Sequence, residues 1–342
     1  MSLGAPAPLG ILGAGTWGTA LAVHLARSGH RVVLRGRSER LMAAIAAERR
    51  NATYLPAIVI PDEVEATSDI GRVAACGTVV VVVPSHGFRG AVRELLAARP
   101  QGAGALVLVS GTKGIEGGTL ARMSEVTFEE AVRARHRVSF AVVSGPSFAE
   151  ELAAGSPTAA VVASEDGRVA IALQEAMSRR NLRLYSTADV VGVELGGTVK
   201  NVIGIAAGVV SGLGLGHNTL AALITRGLSE MSRLGVACGG RASTFSGLAG
   251  LGDLVLTSTG GLSRNRRTGE ELARGRRLED IVGGQPTVAE GVRNSRAVLA
   301  LARRRGVEMP ITAQMELVLY HGKEPRLAVE ELMSRELKAE EE

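Results

Sequence analysis

The sequence predicts an α/β chain: a doubly wound, parallel sheet over residues 1–189, followed by an all-helical domain over 190–342. Three observations carry this expectation. Short apolar runs alternate with amphipathic stretches through the first half. A glycine-rich turn, G-A-G-T-W-G at 13–18, follows the first run and opens a helical pattern. Near residue 190 the texture changes, and long helical periodicity interrupted by glycines replaces the β-branched runs. A chain of 342 residues is long enough to build two cores.

The first-half elements follow in order. L-G-I-L (9–12), R-V-V-L (31–34), V-V-V-V-V (79–83), L-V-L-V (106–109) and F-A-V-V (140–143) are apolar on both faces, the pattern of parallel strands covered by helices on either side. Amphipathic helices fall between them at Trp17–Arg27, Arg40–Glu48, Phe88–Ala98 and Thr119–Arg133. Two further strands, T-A-A-V-V-A (158–163) and L-R-L-Y (182–185), flank a helix at 167–179. S-T-A-D (186–189) is the one turn-like cluster near the join, which otherwise rests on texture.

Composition narrows the function. The chain is 46% hydrophobic and 21% charged, ordinary for a globular protein, but only 3% aromatic, so Ala, Val, Leu and Ile must fill its cores. A net charge of +5 suits an anionic small molecule. The lack of a basic tail and the scarcity of aromatics for stacking argue against nucleic acid. Cys76 and Cys238 fit neither a disulfide framework nor a metal site, so no metal is expected. No signal-peptide pattern opens the chain, and the runs at 78–84 and 202–215 read as too short or too glycine-broken to span a membrane. The expectation is a cytoplasmic enzyme without stable membrane insertion, with a homodimer left open. Arg303, Arg304 and Arg305 read as a solvated helix face.

Lysine usage is the sharpest single clue. Only Lys113, Lys200, Lys323 and Lys338 stand among 39 basic residues; the rest are arginine. Arginine keeps its proton in proteins, whereas lysine is compact and can release one. Lys323 and Lys338 lie in charge-rich sequence and read as surface residues. Lys113 in S-G-T-K-G and Lys200 in G-G-T-V-K-N-V sit among small and apolar neighbours. Each is either a snorkelling or ion-paired side chain, or an ammonium that gives and takes a proton.

In the glycine turn, Gly13 would allow the tight bend, Gly15 the approach of a pyrophosphate and Gly18 close helix packing, the fingerprint of a Rossmann-like dinucleotide site. The helix it opens offers N–H groups and partial positive charge to phosphates. The second strand ends L-R-G-R-S. Arg35 and Arg37 stand where an NAD site would carry a carboxylate, and they could pair with a 2′-phosphate, so NADP is favoured over NAD. Glu39 is the fallback acceptor for a ribose hydroxyl.

Four motifs add polar groups without an evident structural need. S-G-P-S-F-A-E-E (144–151) follows a strand end, where open α/β sheets bind ligands. E-L-G-G-T-V-K-N-V (194–202) places Lys200 and Asn201 on a helix. G-L-A-G-L-G-D-L-V-L-T (247–257) sets Asp253 among apolar residues. G-L-S-R-N-R-R (261–267) reads as a turn presenting Ser263, Arg264 and Asn265, a natural phosphate cradle. Helix capping by Asp253 and a plain surface role for Arg264 are the competing readings.

In this order and wording, with V-A-E-G-V-R-N-S (288–295) and V-E-M-P-I (307–311), the motifs resemble the bacterial NAD(P)-dependent glycerol-3-phosphate dehydrogenase family from Gly13 to about Lys323. The resemblance implies interconversion of dihydroxyacetone phosphate and glycerol 3-phosphate, feeding phospholipid synthesis. It makes Lys200 the proton donor and acceptor and places Lys113 between cofactor and substrate. It assigns Gly145, Ser147, Asp253, Ser263, Arg264 and Asn265 to substrate. It assigns Thr16, Trp17, Arg37, Ala149, Val288 and Glu290 to cofactor, with Arg264 shared. Trp17 stands where the family often has Tyr or Phe. The alternatives are a two-domain dehydrogenase selecting carboxylates, such as a 3-hydroxyacid dehydrogenase or ketopantoate reductase, and a dinucleotide sensor without turnover.

Overall fold

The computed structural model describes residues 8–283, 289–337 and 339–340. The chain divides into two compact units. One runs to Glu116 and resumes over Ala121–Glu194; the other takes Gly117–Leu120 and the chain from Leu195 onward.

The first unit is built on β1 (Leu9–Leu12), β2 (Val32–Arg35), β5 (Val64–Thr67), β6 (Thr78–Val81), β7 (Leu106–Ser110), β8 (Val138–Ser144), β9 (Thr158–Ala163) and β10 (Leu182–Thr187). Their order in the sheet is β10-β9-β8-β7-β6-β1-β2-β5. All pairs are parallel except β8 with β9. Helices α1 (Thr16–Arg27), α2 (Glu39–Glu48), α3 (Ile70–Ala74), α4 (Ser85–Ala97), α5 (Met123–Ala134), α6 (Ala149–Ala154) and α7 (Gly167–Met177) connect them. A small antiparallel pair, β3 (Arg50–Asn51) with β4 (Leu55–Val59), stands apart. The central strands are apolar on both faces because helices cover both; Ile11, Leu34, Val80, Val109 and Ala141 are fully buried or nearly so.

The sheet departs from the sequence expectation at its margins. The antiparallel β8–β9 pair is one departure, since a buried apolar run carries no mark of direction. The missed strands are the other. β5 is V-E-A-T on the sheet edge, with only Val64 buried, and β4 holds a proline, so neither shows a continuous apolar run.

The second unit is helical, as expected. Its elements are α8 (Val190–Gly212, entering from the first unit), α9 (Gly216–Ala237), α10 (Ala242–Phe245), a π-helical turn (Leu248–Gly252), α11 (Asp253–Thr259), α12 (Arg264–Ala273), α13 (Leu278–Gly283), α14 (Glu290–Arg305), α15 (Pro310–Tyr320) and α16 (Pro325–Met333). Asp189 caps the start of α8, accepting from Gly192 N at 2.9 Å.

Two expectations about this half need correction. The glycines after 202 do not break the helix. α8 runs unbroken for 23 residues and is long and apolar enough to cross a membrane, but 94% of its most apolar window is buried inside the protein. Its glycines are contact points: a Cβ on Gly208 would lie 1.9 Å from Arg266 O, and one on Gly204 2.6 Å from Thr257 Cγ2. Lys323 is not a plain surface residue; its side chain is 15% exposed and pairs with Glu331. Lys338 lies outside the described residues. Arg303, Arg304 and Arg305 are exposed at the end of α14.

Candidate active site

In the first unit the glycine turn forms a cradle. Gly13 adopts φ +125°, and a Cβ there would press to 2.4 Å from Val82 O. A Cβ on Gly18 would fall 1.9 Å from Gly13 O. At Gly15 a Cβ would meet nothing within 4 Å, so space is open beside the N-terminus of α1. Gly15 is also the N-cap of that 12-residue helix, with no side-chain cap and no acid in the first turn. Thr16 and Trp17 open the helix. Leading N–H groups beside open space, with no carboxylate of their own turn competing, fit a dinucleotide's phosphates.

Trp17 reaches across to the S-G-P-S loop, its Nε1–H donating to Ser147 O at 3.3 Å. The same loop holds Lys113. Its Nζ donates to Gly145 O at 3.1 Å, and Ser147 Oγ donates to that carbonyl at 3.1 Å. Gly145 has φ +141°, and a Cβ there would crowd Ala160 Cα at 2.9 Å. Ala149 begins α6 just beyond.

The two arginines at the end of β2 differ. Arg35 is 8% exposed, and its fork is taken by Glu94, Nη2 to Oε1 at 2.6 Å and Nη1 to Oε2 at 3.3 Å, while Nε donates to Ser68 O at 3.2 Å. This corrects the expectation that Arg35 awaits a 2′-phosphate: an acid on α4, which the sequence order hid, already occupies it. Arg37 is exposed, as is Glu39.

In the second unit Lys200 lies on α8, 8% exposed. Its Nζ is 2.9 Å from Asp253 Oδ1 and donates to Thr257 Oγ1 at 2.6 Å. Asp253 and Thr257 are each 2% exposed. They stand one helical turn apart on α11, so both side chains share the face turned to α8. Thr257 is the residue the sequence reading passed over; its signal was the i, i+4 spacing in D-L-V-L-T. Asp253 is therefore the lysine's counter-ion, not a lone helix cap. A charge this buried holds its place because it is paired and hydrogen-bonded.

The S-R-N-R-R segment is not a turn. Ser263 is the N-cap of α12, its Oγ accepting from Arg266 N at 3.2 Å, and Arg264 is the first helical residue, exposed. Asn265 points inward, 8% exposed: its Nδ2 donates to Asn201 Oδ1 at 2.9 Å and its Oδ1 accepts from Gly291 N at 3.0 Å. It braces α8, α12 and α14, and those bonds use its oxygen and one amide hydrogen. Glu290 begins α14, half-buried. Val288 lies outside the described residues.

A phosphate cradle at a Rossmann-type turn and a buried, acid-paired lysine in a helical unit fit a dehydrogenase dependent on a nicotinamide dinucleotide. Comparison with known proteins narrows the class. Residues 8–170 match the N-terminal and 189–330 the C-terminal part described for NAD-dependent glycerol-3-phosphate dehydrogenase. The glycerol-3-phosphate dehydrogenase (NAD(P)+) of Syntrophotalea carbinolica is 50% identical over 333 residues, 97% of this chain and 99% of its own. That of Koribacter versatilis is 49% identical over 330 residues, 96% of this chain and 97% of its own. The crystal structure of glycerol-3-phosphate dehydrogenase from Coxiella burnetii superposes with a TM-score of 0.91 at 40% identity, covering 96% of this chain and 99% of that one. The chain belongs to the NAD-dependent glycerol-3-phosphate dehydrogenase family.

Proposed function

We propose that the chain interconverts dihydroxyacetone phosphate and sn-glycerol 3-phosphate with NADPH or NADH, supplying glycerol 3-phosphate for phospholipid synthesis in the cytoplasm. Residues 1–189 serve the dinucleotide and 190–342 the substrate. The observation that carries the reading is the buried Lys200–Asp253–Thr257 cluster.

In the reducing direction a dinucleotide held at the Gly13–Gly18 turn would supply hydride for the carbonyl carbon. The Lys200 ammonium stands beside the carbonyl oxygen, stabilises the alkoxide that forms, and gives it a proton from Nζ. Asp253 holds the ammonium charged and oriented. Thr257, accepting one N–H, helps fix the direction of the ammonium. In the oxidising direction Nζ takes the alcohol proton. Arg264 pairs with the phosphate through its fork, Ser263 and Asn265 fix the start of α12 that carries it, and Lys113 adds a second cation over the Gly145 carbonyl. With Arg35 committed to Glu94, any preference for NADP rests on Arg37.

The test is spectrophotometric. NADH or NADPH should be oxidised on adding dihydroxyacetone phosphate, and not on adding ketopantoate. Turnover of the carboxylate in place of the phosphate would assign the chain to the other substrate class, and turnover of neither would favour a sensor.

A further inference from the structure

Lys113 hangs on the loop that leaves β7, and a lysine's flexible stem leaves its ammonium only as well placed as the backbone beneath it. That loop is tied down on both sides of Lys113. Gly111 N donates to Val81 O at 2.9 Å, and Thr112 Oγ1 to Val83 O at 2.7 Å. Ile115 bridges Arg122, and Glu116 N donates to Ala121 O at 2.9 Å. Arg122 is in turn held by the buried carboxylate of Glu194 at 2.8 Å.

The strongest tie is a side-chain pair. Arg89 on α4 grips Glu116 with both prongs, Nε to Oε1 at 2.8 Å and Nη2 to Oε2 at 2.7 Å, the two side chains 19% and 21% exposed. Bidentate geometry fixes direction as well as distance. Behind the pair, Arg89 Nη1 lies 2.7 Å from Glu129 and 3.0 Å from Glu130. Glu130, 1% exposed, also receives Arg93 and Arg133. Those contacts already staple α4 to α5 without Glu116. The Arg89 pair adds to them the carboxylate of Glu116, and so brings the Lys113 loop onto this frame.

We propose that Arg89 and Glu116 are positioning residues that act through the 111–116 loop to hold the Lys113 ammonium at the Gly145 carbonyl. The proposal rests on the reading that Lys113 works at the substrate. It differs from a structural role in one respect: the effect of losing the pair must pass through Lys113.

The chain's four lysines make this directly observable. Reductive methylation with ¹³C-formaldehyde gives each lysine its own dimethylamino resonance, assigned by single Lys→Arg changes. In Glu116→Gln and in Arg89→Lys, whose ammonium cannot span both carboxylate oxygens, the Lys113 resonance should move while that of Lys323 stays. In unmethylated protein, Glu116→Gln should lower kcat/KM for dihydroxyacetone phosphate roughly ten- to a hundredfold. Placed on Lys113→Met, the same change should cost less than about twofold, because interacting sites are not additive. An unmoved Lys113 resonance in both variants, or an undiminished loss in the Lys113→Met background, overturns the proposal. If Glu116→Gln does not fold, Arg89→Lys decides by the same measurements. Should the wild type not turn over dihydroxyacetone phosphate, the functional reading fails while the resonances still decide the positioning.

Discussion

An arginine in place of Lys200 would keep the charge but could not give up a proton, and its fork would need room that a site 8% exposed does not offer. At Arg264 the demand is the reverse. The residue is exposed at the start of α12, and its proposed work is to pair two phosphate oxygens at once. Arg264→Lys should therefore raise KM for dihydroxyacetone phosphate at least tenfold, on the order of 1.4 kcal/mol, by replacing a fork with a point charge. Initial-rate kinetics check this, and an unchanged KM would move the clamp elsewhere. The arginines after β2 separate in the same way. Arg37→Ala should weaken NADPH far more than NADH. Arg35→Ala, which breaks the pair with Glu94, should lower the melting temperature and treat both cofactors alike. Titration of both cofactors against both variants checks this; a selective loss of NADPH binding in Arg35→Ala would contradict it. The burial of Lys200 and Asp253 was legible at this scale because a costly residue stood in an apolar setting. Thr257 was not, since a threonine in a helix is cheap and common. Nor was the capture of Arg35, since nothing in the order of residues joins β2 to Glu94.

Helix α8 shows why the glycines after residue 202 misled. A glycine inside a helix costs about 0.5–1 kcal/mol relative to alanine, so a run of them reads as a break. Here they let backbones touch. Gly208→Ala would place a Cβ 1.9 Å from Arg266 O and 2.9 Å from Glu270 N, atoms of α12 that cannot rotate away. The cost of that crowding should outweigh the helix propensity gained, giving a net loss of about 1–3 kcal/mol in urea unfolding. Because α12 carries Arg264, KM should rise as well. A midpoint equal to or above that of the wild type would show that the contact is slack. Helix α15 has its own device. Glu230 of α9 accepts from Ile311 N, Thr312 N and Thr312 Oγ1 at its first turn. Burial nonetheless pushes its carboxyl up to about 7. Between the ordinary carboxylate range and pH 7 the folded chain thus holds a proton that the unfolded chain has lost. Its stabilising share is complete at acid pH and falls as pH rises through 7, by about 3 kcal/mol at most. Glu230→Gln does not titrate, so the wild type's stability relative to this variant should fall from pH 5 to pH 8. Thermal unfolding across that range checks it; parallel curves would contradict it.

Over the whole molecule the parallel strands, their order of appearance and the change of texture were legible because each is a pattern of many residues. β5 and β4 were not, being an edge strand and a proline-bearing strand with little to bury. The scarcity of aromatics, 3% of the chain, foretold cores of Ala, Val, Leu and Ile, and the structure adds how such cores close. Helix backbones meet at glycine, as where a Cβ on Gly269 would lie 2.0 Å from Ile205 O, so little side-chain volume is needed between them. In the second unit that tight packing holds the lysine and aspartate together, and the account stands on what this pair does. The most direct measurement is Lys200→Met, assayed for turnover of dihydroxyacetone phosphate and, separately, for NAD(P)H binding by fluorescence. Turnover should fall by on the order of 10²–10⁴-fold or more, with cofactor affinity kept within a few-fold. Retention of more than roughly a tenth of the wild-type kcat would contradict it.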